Sequence, residues 1–129
     1  MKEYLSKYTP LYEEARYKED PLYRMKKVLR ARARKALKGT VRSVSTLELL
    51  GCTTEHLRAH LEAQFKSGMS WENYGPKGWH VDHIRPCASF DLTDLVQQRR
   101  CFHFTNLQPL WAEDNFRKGA NYAQASVLA

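Results

Sequence analysis

The segment Gly75-Pro76-Lys77-Gly78 divides the chain into two kinds of pattern. Two glycines and a proline within four residues end whatever helix precedes them. Upstream, apolar residues recur at intervals of three and four, as helices require. Downstream, Trp79-His80-Val81-Asp82-His83-Ile84 alternates like a short strand, with His80 and Asp82 on one face and Val81 and His83 on the other. Thr105 to Trp111 reads as a second strand. Ala112 to Lys118 reads as a short helix capped by Gly119, with Asn115 and Lys118 three apart on one face. Between the strands, residues 84 to 103 make a long insertion with a helix from Thr93 to about Cys101. The expected fold is therefore α+β, a small, mostly helical domain. A chain of 129 residues buries roughly two thirds of its unfolded surface and needs no staple merely to fold.

In the helical half, Asp20-Pro21 is a good start, because Asp caps free backbone N–H groups and proline suits the first helical position. Leu22, Met25, Leu29, Ala33 and Ala36 then form one stripe, ending near Lys38-Gly39. Arg24, Lys26, Lys27, Arg30, Arg34, Lys35 and Lys38 cover the other side. Formal charge is +7 overall, divided as +8 over residues 1–44 and −1 over residues 45–129. The chain thus reads as a basic arm on a nearly neutral body. A phosphate backbone would relieve repulsion among those cations, although a solvated face on a packed helix fits the pattern equally well. The narrow stripe ends in alanines and lacks Trp or Phe, which disfavours a membrane-surface helix. Tyr4, Tyr8 and Tyr12, interrupted by Pro10, suggest a loosely attached segment. Farther on, Thr46 to Leu50 is a short helix stopped by Gly51, and Thr53 caps another running to about Lys66 with Leu57, Leu61 and Phe65 inward. His56 and His60 stand at i and i+4 on it without the glutamate of helical metalloprotease motifs, so packing or surface roles are expected. No apolar run reaches a membrane span and the N-terminus lacks a signal-peptide pattern, which points to a cytoplasmic protein without membrane contact. Cys52, Cys87 and Cys101 form no C-x-x-C pair and read as reduced thiols.

Taken alone, the His80–His83 stretch fits a turn cap with edge histidines as well as it fits a reactive site. The wider pattern shifts the balance. Asp82-His83 ends the first strand, Asn106 precedes the second, and Asn115-x-x-Lys118-Gly119 lies on the helix. In order and placement these residues resemble the HNH endonucleases, whose fold is the ββα-metal hairpin and helix. The matching span is about residues 79–119. Gly68-Met69-Ser70-Trp71-Glu72-Asn73 and Asn106-Leu107-Gln108-Pro109-Leu110-Trp111 are similar to segments of compact phage and prophage HNH proteins, which extends the resemblance to about residue 49.

The resemblance implies hydrolysis of DNA phosphodiester bonds with one divalent metal. Such chemistry needs a nucleophile made at neutral pH and a counter-charge for the leaving oxygen. Imidazole titrates nearest neutrality, which suits His83 as general base on water. The resemblance further implies that Asp82 and Asn115 hold the metal and that Asn106 orients the His83 imidazole. Asparagine stands where the family name has its last histidine. That makes an oxygen-only donor set, favouring Mg²⁺ or Mn²⁺ over Zn²⁺. Asp114 is the alternative ligand if the helix register is shifted by one. His80 is assigned an accessory role at metal or phosphate, and Lys118 either a phosphate contact or ordinary solvation. Arg85, Arg99 and Arg100 are further candidates for DNA contact, and His103 is expected to support the hairpin. Cys87 and Cys101 look isolated, so no structural zinc ribbon is expected and packing of Trp79, Phe90, Leu107, Leu110 and Trp111 must hold the core. Double-stranded DNA is the expected partner, gripped by residues 1–44, whose removal up to residue 38 should leave the metal site assembled. A homodimer or a phage packaging partner, a non-catalytic DNA-binding or packaging accessory, and a structure-specific or RNA-directed nuclease all stay open.

Overall fold

The computed structural model describes residues 10–40 and 45–119. Helix α1 spans Pro10–Glu19 and α2 spans Pro21–Ala36. Short helices α3 (Thr46–Leu50) and α4 (Thr54–Glu62) lead through turns to strand β1 (Trp79–His83). After α5 (Leu95–Phe102) come strand β2 (Leu107–Trp111) and helix α6 (Ala112–Lys118). The molecule is mixed α and β, mostly helical, with a two-stranded antiparallel sheet.

Local chemistry explains most boundaries. Asp20 caps α2, its carboxylate accepting from the backbone of Leu22 and Tyr23, and Pro21 fills the first helical position. Ser45, Thr53 and Asp94 cap α3, α4 and α5 in the same way. Gly51 closes α3 in the left-handed conformation, with φ of 72°. Helix α4 ends sooner than its apolar spacing suggests. Beyond Glu62 the backbone tightens to i→i+3 bonds, Gln64 to Leu61 and Phe65 to Glu62, while Phe65 still packs on the core. The tyrosine-bearing segment also differs from the expectation of a loose arm. Pro10 opens α1 instead of interrupting it, and Tyr23 and Arg16 join the two helices, through a hydrogen bond to Glu13 and a guanidinium over the Tyr23 ring. Tyr4 and Tyr8 lie outside the described residues.

The core has two centres. In the larger one, Met25 and Leu29 of α2 meet Leu57 and Leu61 of α4 and Trp79, Val81 and Leu107 of the hairpin. Trp79 is fully buried, edge-on to Phe65 and Trp71 with Tyr74 beside it, and its indole N–H donates to the Ser70 carbonyl at 2.7 Å. The smaller centre joins Ala33, Leu37, Leu49, Cys101 and Phe102, with Phe90 at its margin. The stripe of α2 is therefore shared by both centres. The basic helix is part of the packed body, so cutting the chain at residue 38 would remove core and not merely an arm.

The hairpin sets the geometry of everything that follows. Its register pairs Trp79 with Trp111, Val81 with Pro109 and His83 with Leu107. Pro109 is tolerated because β2 has a free edge. Helix α6 starts directly after β2 and packs back on both strands.

Candidate functional site

Alternation along β1 sends His80 and Asp82 toward α6 and His83 toward the helical layer. On the α6 side, Asp82 Oδ2 accepts hydrogen bonds from Lys118 Nζ at 2.9 Å and Gln108 Nε2 at 3.0 Å. The lysine also donates to the His83 carbonyl at 2.6 Å, which ties α6 to the end of β1. Both partners of this ion pair are largely shielded, their side chains 19% and 11% exposed. Asn115, one turn earlier, presents Nδ2 to His80 Nδ1 at 3.1 Å, and the other ring nitrogen of His80 faces the Pro76 carbonyl at 3.1 Å. One tautomer satisfies both contacts, with Nε2–H donating to Pro76. The amide nitrogen of Asn115 is thus committed, and its oxygen is the atom left for a cation.

On the opposite face, His83 lies edge-on to Phe102, with centroids 5.7 Å apart. Its Nε2 is buried and has no hydrogen-bond partner. The structure places Cys87 and Cys101 beside it, all three ligand atoms within 4.8 Å of one another. These cysteines are not isolated, contrary to their spacing in the sequence. The turn at Cys87–Ser89 and the buried end of α5 are folded onto the same spot, and the Cys101 thiol donates to Cys87 Sγ at 3.1 Å. That donation, aided by His83 alongside, pulls the Cys87 thiol down to about 5 despite burial. The same pairing, with burial, pushes Cys101 up.

Asn106 closes the long excursion between the strands. Its Oδ1 accepts from the Arg85 N–H at 2.9 Å, and its Nδ2 donates to the carbonyls of Arg85 and Cys101 at 3.1 and 2.9 Å. Its own carbonyl accepts from the Ile84 N–H at 2.8 Å. Its side-chain bonds all go to backbone. Asn106 therefore fixes the chain on either side of His83's neighbours and acts on the imidazole only through that backbone.

A single cleft brings the two faces together. It is lined by Arg32, Lys35 and Ala36 of α2, Val81, Asp82 and His83 of β1, Cys87 and Asn115. Asn115, not Asp114, is the α6 residue in this lining; Asp114 sits 3.7 Å from the Arg117 guanidinium. Arg32 is the residue that the sequence pattern passed over. It stands three after Leu29 and four before Ala36, on the buried stripe itself, and its guanidinium donates to the Val81 carbonyl. A cation on an apolar stripe was the available signal.

The remaining basic residues divide by what holds them. Arg24 is committed to the carbonyls of Tyr17, Lys18 and Tyr74 and lies over the Tyr74 ring. Lys27 reaches Glu13 at 3.9 Å and the Tyr23 ring. Lys26 is half-buried, whereas Arg30, Arg34, Lys35 and Lys38 are exposed. Arg85 folds over Phe90 and bonds Ser89, while Arg99 and Arg100 are exposed. His56 and His60 stack edge-on to Phe104, and His60 Nε2 lies 3.0 Å from the Leu107 carbonyl, which makes them packing residues. His103 Nδ1 contacts the Thr105 hydroxyl at the hairpin's entry, as expected.

No protein-family model matches the chain, and no solved structure does. Two proteins of Acanthamoeba polyphaga mimivirus are similar to it. Uncharacterized protein L426 is 42% identical over 103 residues, covering 80% of this chain, and uncharacterized protein L246 is 43% identical over 97 residues, covering 75%. The chain spans less than half the length of these relatives, 45% and 42% respectively. Among the described residues no helix is long and apolar enough to cross a membrane.

Proposed function

We propose that this chain is a metal-dependent endonuclease that hydrolyses DNA phosphodiester bonds. The observation that carries the reading is the convergence of the neighbours Asp82 and His83 with Asn115, more distant in sequence, on one cleft rimmed by Arg32 and Lys35. The order strand, strand, helix and the motif residues' places on it agree with the HNH resemblance.

The donor set suits a hard divalent ion. Asp82 already holds a cation, the Lys118 ammonium, against its carboxylate, and Asn115 offers a neutral amide oxygen. These two residues would hold Mg²⁺ or Mn²⁺. When bound, such an ion supplies Lewis-acid stabilisation of the charge developing on the leaving oxygen. The other steps belong to the chain. The His83 imidazole takes the proton from an attacking water as the new O–P bond forms and the bridging oxygen departs. Asn106 holds the backbone that carries His83. Arg32 and Lys35 bind non-bridging phosphate oxygens, and Lys118, beside Asp82, would add a further ammonium donor for phosphate. The exposed Arg30, Arg34 and Lys38, on the outer side of α2, bind the duplex backbone.

The test is cleavage of end-labelled DNA duplex by purified protein in Mg²⁺ or Mn²⁺, with EDTA, with metal restored, and with single-stranded DNA and RNA as competitors. Metal-dependent cutting of the duplex supports the proposal. Duplex binding without cutting under any metal would instead assign the chain to a non-catalytic accessory role.

A further inference from the structure

We infer that His83, Cys87 and Cys101 form a second metal site, specific for a soft borderline ion such as Zn²⁺ and separate from the oxygen site of Asp82 and Asn115. One imidazole nitrogen and two sulfurs lie within 4.8 Å of one another. On the same imidazole, His83 Nε2 is buried without a hydrogen-bond partner, and Cys101 is completely buried. A buried polar atom beside two thiols is the state a coordination bond relieves. Tetrahedral zinc with S–Zn bonds of about 2.3 Å places two sulfurs roughly 3.8 Å apart. The observed 3.1 Å thus needs an opening of less than an ångström. Binding would release the Cys101 proton to solvent. Three protein ligands leave the fourth position to water or an anion from the cleft, which His83 and Cys87 both line.

The two sites select different ions by donor type: thiolate and imidazole suit zinc, whereas carboxylate and amide oxygen suit magnesium or manganese. They adjoin through consecutive residues, Asp82 and His83, which face opposite sides of β1. On the nuclease reading, zinc would engage the imidazole that serves as base and would silence the enzyme, a consequence that rests on that reading while the binding itself does not.

The experiment is direct metal binding by the full chain, kept reduced with a phosphine. Zn²⁺ is titrated against a chromophoric chelator, and Co²⁺ is added to report thiolate ligation by its sulfur-to-metal charge-transfer absorption. The expected result is one Zn²⁺ per chain, a thiolate–cobalt band, and affinity weakened roughly 100-fold or more in Cys87→Ser, with Cys52 left in place. Cys87 is half-buried at a turn, so this variant keeps its fold, which circular dichroism verifies. Absence of stoichiometric zinc binding overturns the inference, as does a folded Cys87→Ser chain that binds zinc like wild type. Neither result touches the nuclease proposal, whose readout is DNA cleavage in Mg²⁺.

Discussion

Single residues set tight limits at the entrance to the hairpin. A methyl group on Gly78 would lie 1.6 Å from the Asn73 carbonyl oxygen, which is backbone and cannot swing away. The Gly78 carbonyl also accepts from the Ala112 N–H at 2.8 Å, at the join of β2 and α6. Gly78→Ala should therefore cost about 2–4 kcal/mol of stability by urea unfolding; a loss below about 0.5 kcal/mol would show that this close approach is not a constraint. In the core, Leu57→Ala should cost about 2–5 kcal/mol, since Leu57 is fully buried between α4 and the hairpin. The thiols differ in a way that labelling can read. Cys87 is held low by the Cys101 thiol, while burial pushes Cys52 up. Iodoacetamide at about pH 6, where only a lowered thiol is ionised, should modify Cys87 before Cys52, and the reverse order would contradict the pairing. None of this pairing was legible in the sequence. Cys87 and Cys101 are fourteen residues apart, and only the packing of α5 under the loop brings them together.

At the scale of elements, spacing and caps were enough to locate α2, α3, α5, both strands and α6 to within a residue or two. Boundaries failed where tertiary contacts decide: the early end of α4, and α1, whose first turn begins at a proline that also reads as a breaker. The face assignments along β1 and α6 were legible because period two and period three leave one choice once the core face is known. Asn106 was found by motif, but its partners are backbone atoms that no pattern of side chains announces. The Lys118–Asp82 contact fastens α6 to β1. Lys118→Met leaves a shielded carboxylate with Gln108 alone, and should cost about 1–3 kcal/mol. Millimolar Mg²⁺ should restore melting temperature more in this variant than in wild type, because the ion takes the place the ammonium vacated. Equal responses to Mg²⁺ would argue against Asp82 as a ligand.

For the whole molecule, the charge map is the feature that changed most between sequence and structure. Residues 1–44 carry +8, yet α2 is built into both core centres, and Arg24 and Lys27 serve packing and ion pairs. The other cations left exposed on this helix are fewer, Arg30, Arg34 and Lys35, with Lys38 just beyond its end. Replacing Arg30, Arg34 and Lys38 by glutamine should reduce the slope of log affinity against log salt by about 2–3 and leave the fold intact. An unchanged slope would place the duplex elsewhere. The central claim is that the cleft between α2, β1 and α6 hydrolyses DNA, and its most direct test is the initial rate of supercoiled plasmid nicking in Mg²⁺ by wild type, Asp82→Ala and His83→Ala, each verified as folded. Wild type should nick in a manner that EDTA abolishes, with a fall of about 100-fold or more in both variants. Wild-type rates in either variant, or nicking that persists undiminished in EDTA, would contradict it.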